Sequence, residues 1–170
     1  MSDFATVPVR SEAEIERVAA LAREIWTEHY TAIIGTAQVE YMLATVQSPA
    51  SIARQIREGI QYSLIISEAE DAGYFAVRPD RESQSLFLSK LYIRREMRGR
   101  KLAARALAWM TVRALELDLK SMWLTVNKRN SAVLAYKRAG FFVTREVVTD
   151  IGAGYVMDDY VMERPVDLDS

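Results

Sequence analysis

The segment Leu86–Leu107, LFLSKLYIRREMRGRKLAARAL, limits what this chain can fold into more than any other. It changes period twice. Leu86 to Ile93 is a short apolar run of strand length, Arg94 to Arg100 is a basic turn, and from about Lys101 the apolar residues recur at helical spacing. A strand that delivers a charged turn to a helix N-terminus is built to hold an anion. The first backbone N–H groups of the helix have no internal acceptor, and the positive end of its dipole points the same way. Between Lys90 and Arg105 stand seven Lys or Arg and one acid, Glu96, in a chain whose formal net charge is -1. The segment reads as the phosphate grip of a nucleotide-containing cofactor.

Composition removes several other chemistries. The chain has 170 residues, enough for one domain with its own core. It contains no cysteine, which excludes disulfides, thiol nucleophiles and thiolate metal sites and fits a reducing cytoplasm. With a single histidine, no metal site is expected. No apolar run approaches the roughly 18 residues of a membrane span, so no membrane partner is expected. Residues 1–80 carry 6 basic and 12 acidic side chains, and residues 81–170 carry 16 and 11. That division suits an anionic cofactor on the C-terminal half and a cationic substrate near the N-terminal half. It does not suit nucleic acid, which generally calls for a basic domain.

The rest of the chain supplies the frame. Phe4–Arg10 alternates as a first strand. Ser11 is placed to cap a helix whose apolar face is Ile15, Val18, Ala19, Ala22, Ile25 and Trp26. Tyr30–Gly35 reads as a turn, Thr36 to about Val46 as a second helix, and Ser48, Pro49 and Ser51 as a break before a third helix, Ile52–Glu58. Strands are expected at Tyr62–Ser67 and Gly73–Val77, joined by the acidic turn Glu68–Asp71, with a polar turn Arg78–Ser83 before the central segment. After the helix that begins near Lys101 come a buried strand Ser121–Val126, a short helix Ser131–Arg138, and long strands Phe141–Thr149 and Tyr155–Glu163. A frayed tail, Arg164–Ser170, ends the chain. The three tryptophans, Trp26, Trp109 and Trp123, read as core.

Residues Arg98-Gly99-Arg100-Lys101-Leu102-Ala103 resemble the R/Q-x-x-G-x-G/A signature of the GNAT superfamily of acetyl-CoA-dependent N-acetyltransferases. Asn130, Tyr136 and Gly140-Phe141 resemble its N…Y-x-x-x-G-F stretch. The element order agrees over nearly the whole chain, and the ending DIGAGYVMDDYVME resembles a subgroup of small bacterial amine acetyltransferases, some of which act on polyamines. The resemblance implies a single α/β domain: a mixed, mostly antiparallel twisted sheet of about seven strands, flanked by helices, with a splayed central strand pair. Two positions depart from the pattern. Lys101 stands where the family has its first glycine, a place where positive φ would strain a side chain. The interval to Tyr136 is one residue short, so Asn127 and Asn130 compete for the family's asparagine.

The same resemblance implies a mechanism. Backbone groups of Leu91, Tyr92 and Ile93 would pair with the pantetheine arm of acetyl-CoA, and Arg98, Gly99, Arg100, Lys101, Leu102, Ala103 and Ala104 would hold its pyrophosphate, with Asn130 a further cofactor contact. The Leu91 N–H would face the charge that develops on the acetyl oxygen. An alkylamine has a pKa of about 10.4, so the acceptor must lose a proton before it attacks the thioester directly. The departing thiolate needs one, and Tyr136, a phenol, is the candidate acid. Glu28, His29 and Tyr30 would border the acceptor. Asp158 and Asp159 alternate on one strand and point to opposite faces, so they cannot act together, but one of them could attract a cationic amine. The implied activity is acetyl transfer to a primary amine of a small molecule, a polyamine included. The alternatives are a protein or peptide acceptor, or an acyl-CoA-binding module without turnover. The long C-terminal strands offer an edge for a homodimer.

Overall fold

A computed structural model describes residues 3–167. In chain order the elements are β1 (Ala5–Pro8), α1 (Glu12–Ile34), α2 (Thr36–Val46), α3 (Pro49–Arg57), β2 (Gln61–Ser67), β3 (Glu70–Asp80), β4 (Ser85–Ile93), α4 (Leu102–Glu116), β5 (Ser121–Asn127), α5 (Ala132–Arg138), β6 (Phe142–Gly152) and β7 (Tyr155–Pro165). The seven strands follow the order β1-β2-β3-β4-β5-β7-β6. The ladders β1–β2, β2–β3, β5–β7 and β6–β7 are antiparallel, whereas β4 pairs with β5 in parallel, matching Ser85–Phe87 with Ser121–Trp123. This is the mixed, mostly antiparallel sheet that the sequence led us to expect.

The chain divides into two compact units. The first runs to Arg78 and resumes over Lys90–Leu107. Its long helix α1 begins with a reciprocal cap: Glu14 N–H donates to Ser11 Oγ at 3.2 Å, and Ser11 N–H donates to Glu14 Oε1 at 2.9 Å. Such a cap contributes about 1 kcal/mol. These backbone donors, with Arg10 N–H first among them, hold the Glu14 carboxyl below its ordinary pKa. One face of α1 buries Val18, Leu21, Ala22, Ile25 and Trp26, and the sheet of this unit buries Leu64, Ile65, Tyr74 and Phe75. The expected turn at Tyr30–Gly35 is instead helix through Ile34, because nothing before Gly35 interrupts the helical bonding. Gly35 stops it at φ 86, with its N–H on Thr31 O. Pro49 does not break the chain either. It occupies the first turn of α3, where its missing N–H is no loss, and Ser48 Oγ caps the helix by accepting from Ser51 N–H. Likewise the acidic turn shrinks to Glu68 and Ala69, both at positive φ, and β3 takes in Glu70, Asp71 and Arg78–Asp80.

The second unit comprises Pro79–Ser89 and the chain from Ala108 onward. Its core includes Met110, Ala114, Met122, Leu124, Val133, Phe141, Val161 and Met162. Trp123 stacks against Phe87 with ring centroids 4.3 Å apart, but Trp109, expected in the core, is 37 % exposed. The expected tail starts later than Arg164. Arg164 and Pro165 finish β7, Val166 N–H reaches Lys120 O, and Leu168–Ser170 lie outside the described residues.

Candidate active site

In the first unit, β4 ends at Ile93 and the chain turns through a single 3-10 turn, Arg95–Met97. Arg94 N–H donates to Ala72 O, Met97 N–H to Arg94 O and Arg98 N–H to Arg95 O. The next backbone N–H with an acceptor is that of Arg105, on Lys101 O. Every N–H from Gly99 through Ala104 is without a hydrogen-bond acceptor among the described residues. Gly99 lies at φ 82 and Lys101 at φ 60, which curls this run around the start of α4. Consecutive unspent N–H groups at a helix N-terminus form a cradle for pyrophosphate oxygens, so the turn fits the group it was expected to hold.

The seven cations near this turn do not all serve it. Lys90 is half-buried, and desolvation pulls its ammonium down to a pKa of about 8. Arg94 pairs with Glu24 at 2.8 Å and with Glu96 at 3.6 Å. Arg100 Nη1 lies 2.8 Å from Glu68 Oε2, a charge contact without hydrogen-bond alignment. The Arg105 guanidinium lies 5.0 Å from the Phe4 ring centroid. Arg95, Arg98 and Lys101 pair with no acid among the described residues, and Arg98 Nε reaches Ile93 O at 3.4 Å. Positive φ at Lys101 costs about 1 kcal/mol for a residue with a Cβ. Lys101→Gly is therefore expected to raise the melting midpoint by about 2–4 °C, read by thermal unfolding.

The acceptor candidates gather on an aromatic cluster of the same unit. Tyr30 Oη is 3.1 Å from Tyr92 Oη, and Trp26 contacts both rings, with centroids at 5.8 and 5.5 Å. His29 stands edge-on to Tyr30 at 4.9 Å. Tyr92 thus directs its side chain to the acceptor candidates, leaving only its backbone to a cofactor. Glu28 lies apart from this, in a carboxylate trio with Glu24 and Glu96 whose oxygens approach within 4.8 Å. Behind Tyr92 the ring of Tyr74 follows at 5.6 Å, and its hydroxyl donates to Gln47 Oε1 at 2.6 Å. Gln47 Nε2 donates to Tyr62 Oη at 3.0 Å, and Tyr62 donates to Gln55 Oε1 at 2.5 Å. Burial pushes the Tyr62 phenol up to about 12 and that of Tyr74 well above its ordinary value. The sequence does not show this network, because its members lie on β2, β3, α3 and the link between α2 and α3.

In the second unit, Tyr136 lies on α5 with its ring edge-on to Phe141 at 5.6 Å, and Phe141 N–H donates to Tyr136 O. Arg164 fastens this corner: Nη1 donates to Ala139 O at 3.0 Å, Nη2 to Thr111 Oγ1 at 2.6 Å, and the guanidinium lies 5.5 Å from the Phe141 ring. Asn127 Oδ1 accepts from Arg129 N–H, and Asn130 Oδ1 accepts from Ala132 N–H at the start of α5. Of the two aspartates on β7, Asp158 is exposed and bonded to Lys128 Nζ at 2.9 Å. Asp159 is 9 % exposed, and its Oδ1 has no partner. Burial, and then the Asp158 charge, raise its pKa to about 6.

The sheet and the turn define the class: an α/β acyltransferase fold with a run of unspent N–H groups between β4 and α4. A family model described as the acetyltransferase (GNAT) domain matches residues 27–159. The chain belongs to the GNAT acetyltransferase family. No curated protein matches its sequence. Among solved structures, the PaiA N-acetyltransferase of Thermoplasma acidophilum in complex with coenzyme A is 19 % identical, covering 96 % of this chain and 99 % of that one, with a TM-score of 0.78. A spermidine N-acetyltransferase SpeG chimera from Vibrio cholerae and hSSAT is 14 % identical, covering 95 % of each chain, with a TM-score of 0.71. The ribosomal-protein-S18-alanine N-acetyltransferase of Escherichia coli is 12 % identical, covering 99 % and 96 %, with a TM-score of 0.70. At these identities the likeness is one of fold. No helix among the described residues is long and apolar enough to cross a membrane.

Proposed function

We propose that the protein moves an acetyl group from acetyl-CoA to a primary amine of a small molecule, polyamines included. The observation that carries the cofactor assignment is the run of unspent N–H groups from Gly99 through Ala104. Gly99–Ala104 bind the pyrophosphate, helped by Arg98 and Lys101. Leu91 and Ile93 hold the pantetheine arm by their backbone, and the Leu91 N–H stabilises charge on the acetyl oxygen. The thioester supplies the acyl group, and no metal is called for.

The neutral amine forms the new C–N bond as the C–S bond breaks, and Tyr136 gives its proton to the sulfur. The products are an acetamide and free CoA; the proton shed by the amine passes to solvent, and solvent returns a proton to the Tyr136 phenolate. The edge contact with Phe141 and the Arg164 clamp hold the helix end that carries Tyr136. A Thermoplasma acidophilum N-acetyltransferase in complex with coenzyme A and a spermidine N-acetyltransferase chimera among the structural neighbours support the reading without naming this protein's acceptor.

The test is the melting midpoint with and without saturating acetyl-CoA. At a hundred times Kd the linkage contributes about 2.7 kcal/mol, and a rise of roughly 5–10 °C is expected for a chain of this size. AMP alone should give none of it. No shift with acetyl-CoA overturns the cofactor assignment.

A further inference from the structure

Asp159 is the unexplained group of the second unit. A carboxylate enclosed to 9 % exposure normally has an arginine, a lysine or several N–H donors around it. The Asp159 side chain has no hydrogen bond or ion pair among the described residues. Lys128, which follows the residue paired with Asp159 across the β5–β7 ladder, is taken by Asp158 and by Glu146 at 2.7 Å. Residue parity on β7 turns Asp159 away from both Asp158 and Arg164, and so away from Thr111 of α4.

Directly across the β5–β7 ladder from Asp159 stands Asn127, 8 % exposed, at the C-terminal end of β5. Its Oδ1 is engaged by Arg129 N–H, and no hydrogen bond of its Nδ2 is found among the described residues. Two enclosed polar side chains therefore face one another across one rung, with an unneutralised negative charge and an amide whose N–H groups are unspent. An anion in that state is a poor structural element and a strong ligand for a cation.

We propose that Asp159, with Asn127 beside it, binds an alkylammonium group of the acceptor and so selects cationic amines. The assignment rests on the acetyltransferase reading above and names the substrate class of that activity. Asp159 acts as a specificity residue here: it holds a charged nitrogen and takes no part in breaking the thioester.

The experiment uses the full chain saturated with acetyl-CoA, and reads the melting midpoint against n-butylamine and spermidine at tens of millimolar. n-Butanol and NaCl at matched ionic strength are the controls. A dose-dependent rise is expected for the two amines and not for the controls. Asp159→Asn should abolish it, and Asp158→Asn, on the opposite face, should keep it. Asp159→Asn removes an enclosed charge, so it should itself melt a few degrees higher, which separates lost binding from misfolding. If spermidine is acetylated, Asp159→Asn should raise KM about 10–100-fold with kcat within a factor of a few, as expected for losing a hydrogen bond to a charged group. Absence of any amine response in the wild-type protein, or its survival in Asp159→Asn, overturns the proposal even where acetyl-CoA stabilises the chain. Failure of acetyl-CoA to shift the midpoint overturns the acetyltransfer reading instead, whatever the amines do.

Discussion

Tyr136→Phe is expected to lower turnover on any accepted amine by about 100-fold and to leave the acetyl-CoA melting shift unchanged. The phenol has one chemical task in the proposed reaction, protonation of the departing thiolate, and Phe removes the hydroxyl alone. The ring would keep its edge-on contact with Phe141, and the backbone bond from Phe141 N–H would persist, so the α5 corner should fold as before. Steady-state rates with acetyl-CoA and amine, beside the melting curves, check both halves. Turnover within a factor of two of wild type would show that solvent or another group protonates the sulfur, and Tyr136 would then be a packing residue.

Gly73→Ala should produce the largest loss of stability. Gly73 lies on β3 against the end of β4, and a Cβ there would sit 2.1 Å from Tyr92 O and 3.0 Å from Ile93 Cα. Both are backbone atoms, so no rotamer change relieves the overlap; one strand must move. A cost of about 3 kcal/mol is expected, lowering the midpoint by roughly 6–12 °C. The displaced segment is Tyr92–Ile93, which belongs to the stretch assigned to the pantetheine arm, so the acetyl-CoA shift should shrink as well. A midpoint within one degree of wild type would show that the two strands tolerate separation at this point.

The central segment could be read from the chain because two signals change there together. The apolar period passes from strand to helix across Leu86–Leu107 as charge concentrates between Lys90 and Arg105. What the charge count hid was how it is divided. Arg94 and Arg100 are engaged by Glu24 and Glu68, acids far away in the chain, and Lys90 is half-buried and desolvated, so the proposed cradle relies on N–H groups that no composition displays. Local rules misled where one residue serves two purposes. Pro49 reads as a breaker in the interior of a helix and as a starter in its first turn, and only the Ser48 cap distinguishes the two. The opposed faces of Asp158 and Asp159 follow from parity alone; which face is enclosed depends on packing that the chain does not spell out. The Tyr62, Tyr74, Gln47 and Gln55 network was hidden for the same reason. Tyrosines in apolar strands, a glutamine just past α2 and another on α3 look like filler until their hydroxyls and amides meet.

The run from Gly99 through Ala104 also works as a gauge of occupancy. Its amide hydrogens have no bond to break among the described residues, so with nothing bound they are open to solvent exchange, whereas the N–H of Arg105 is already held by Lys101 O. An anion in the cradle supplies the missing acceptors and orders the turn by being there. On the proposed assignment, loading and local rigidity would rise together, and the backbone itself would carry the record of whether the cofactor is in place.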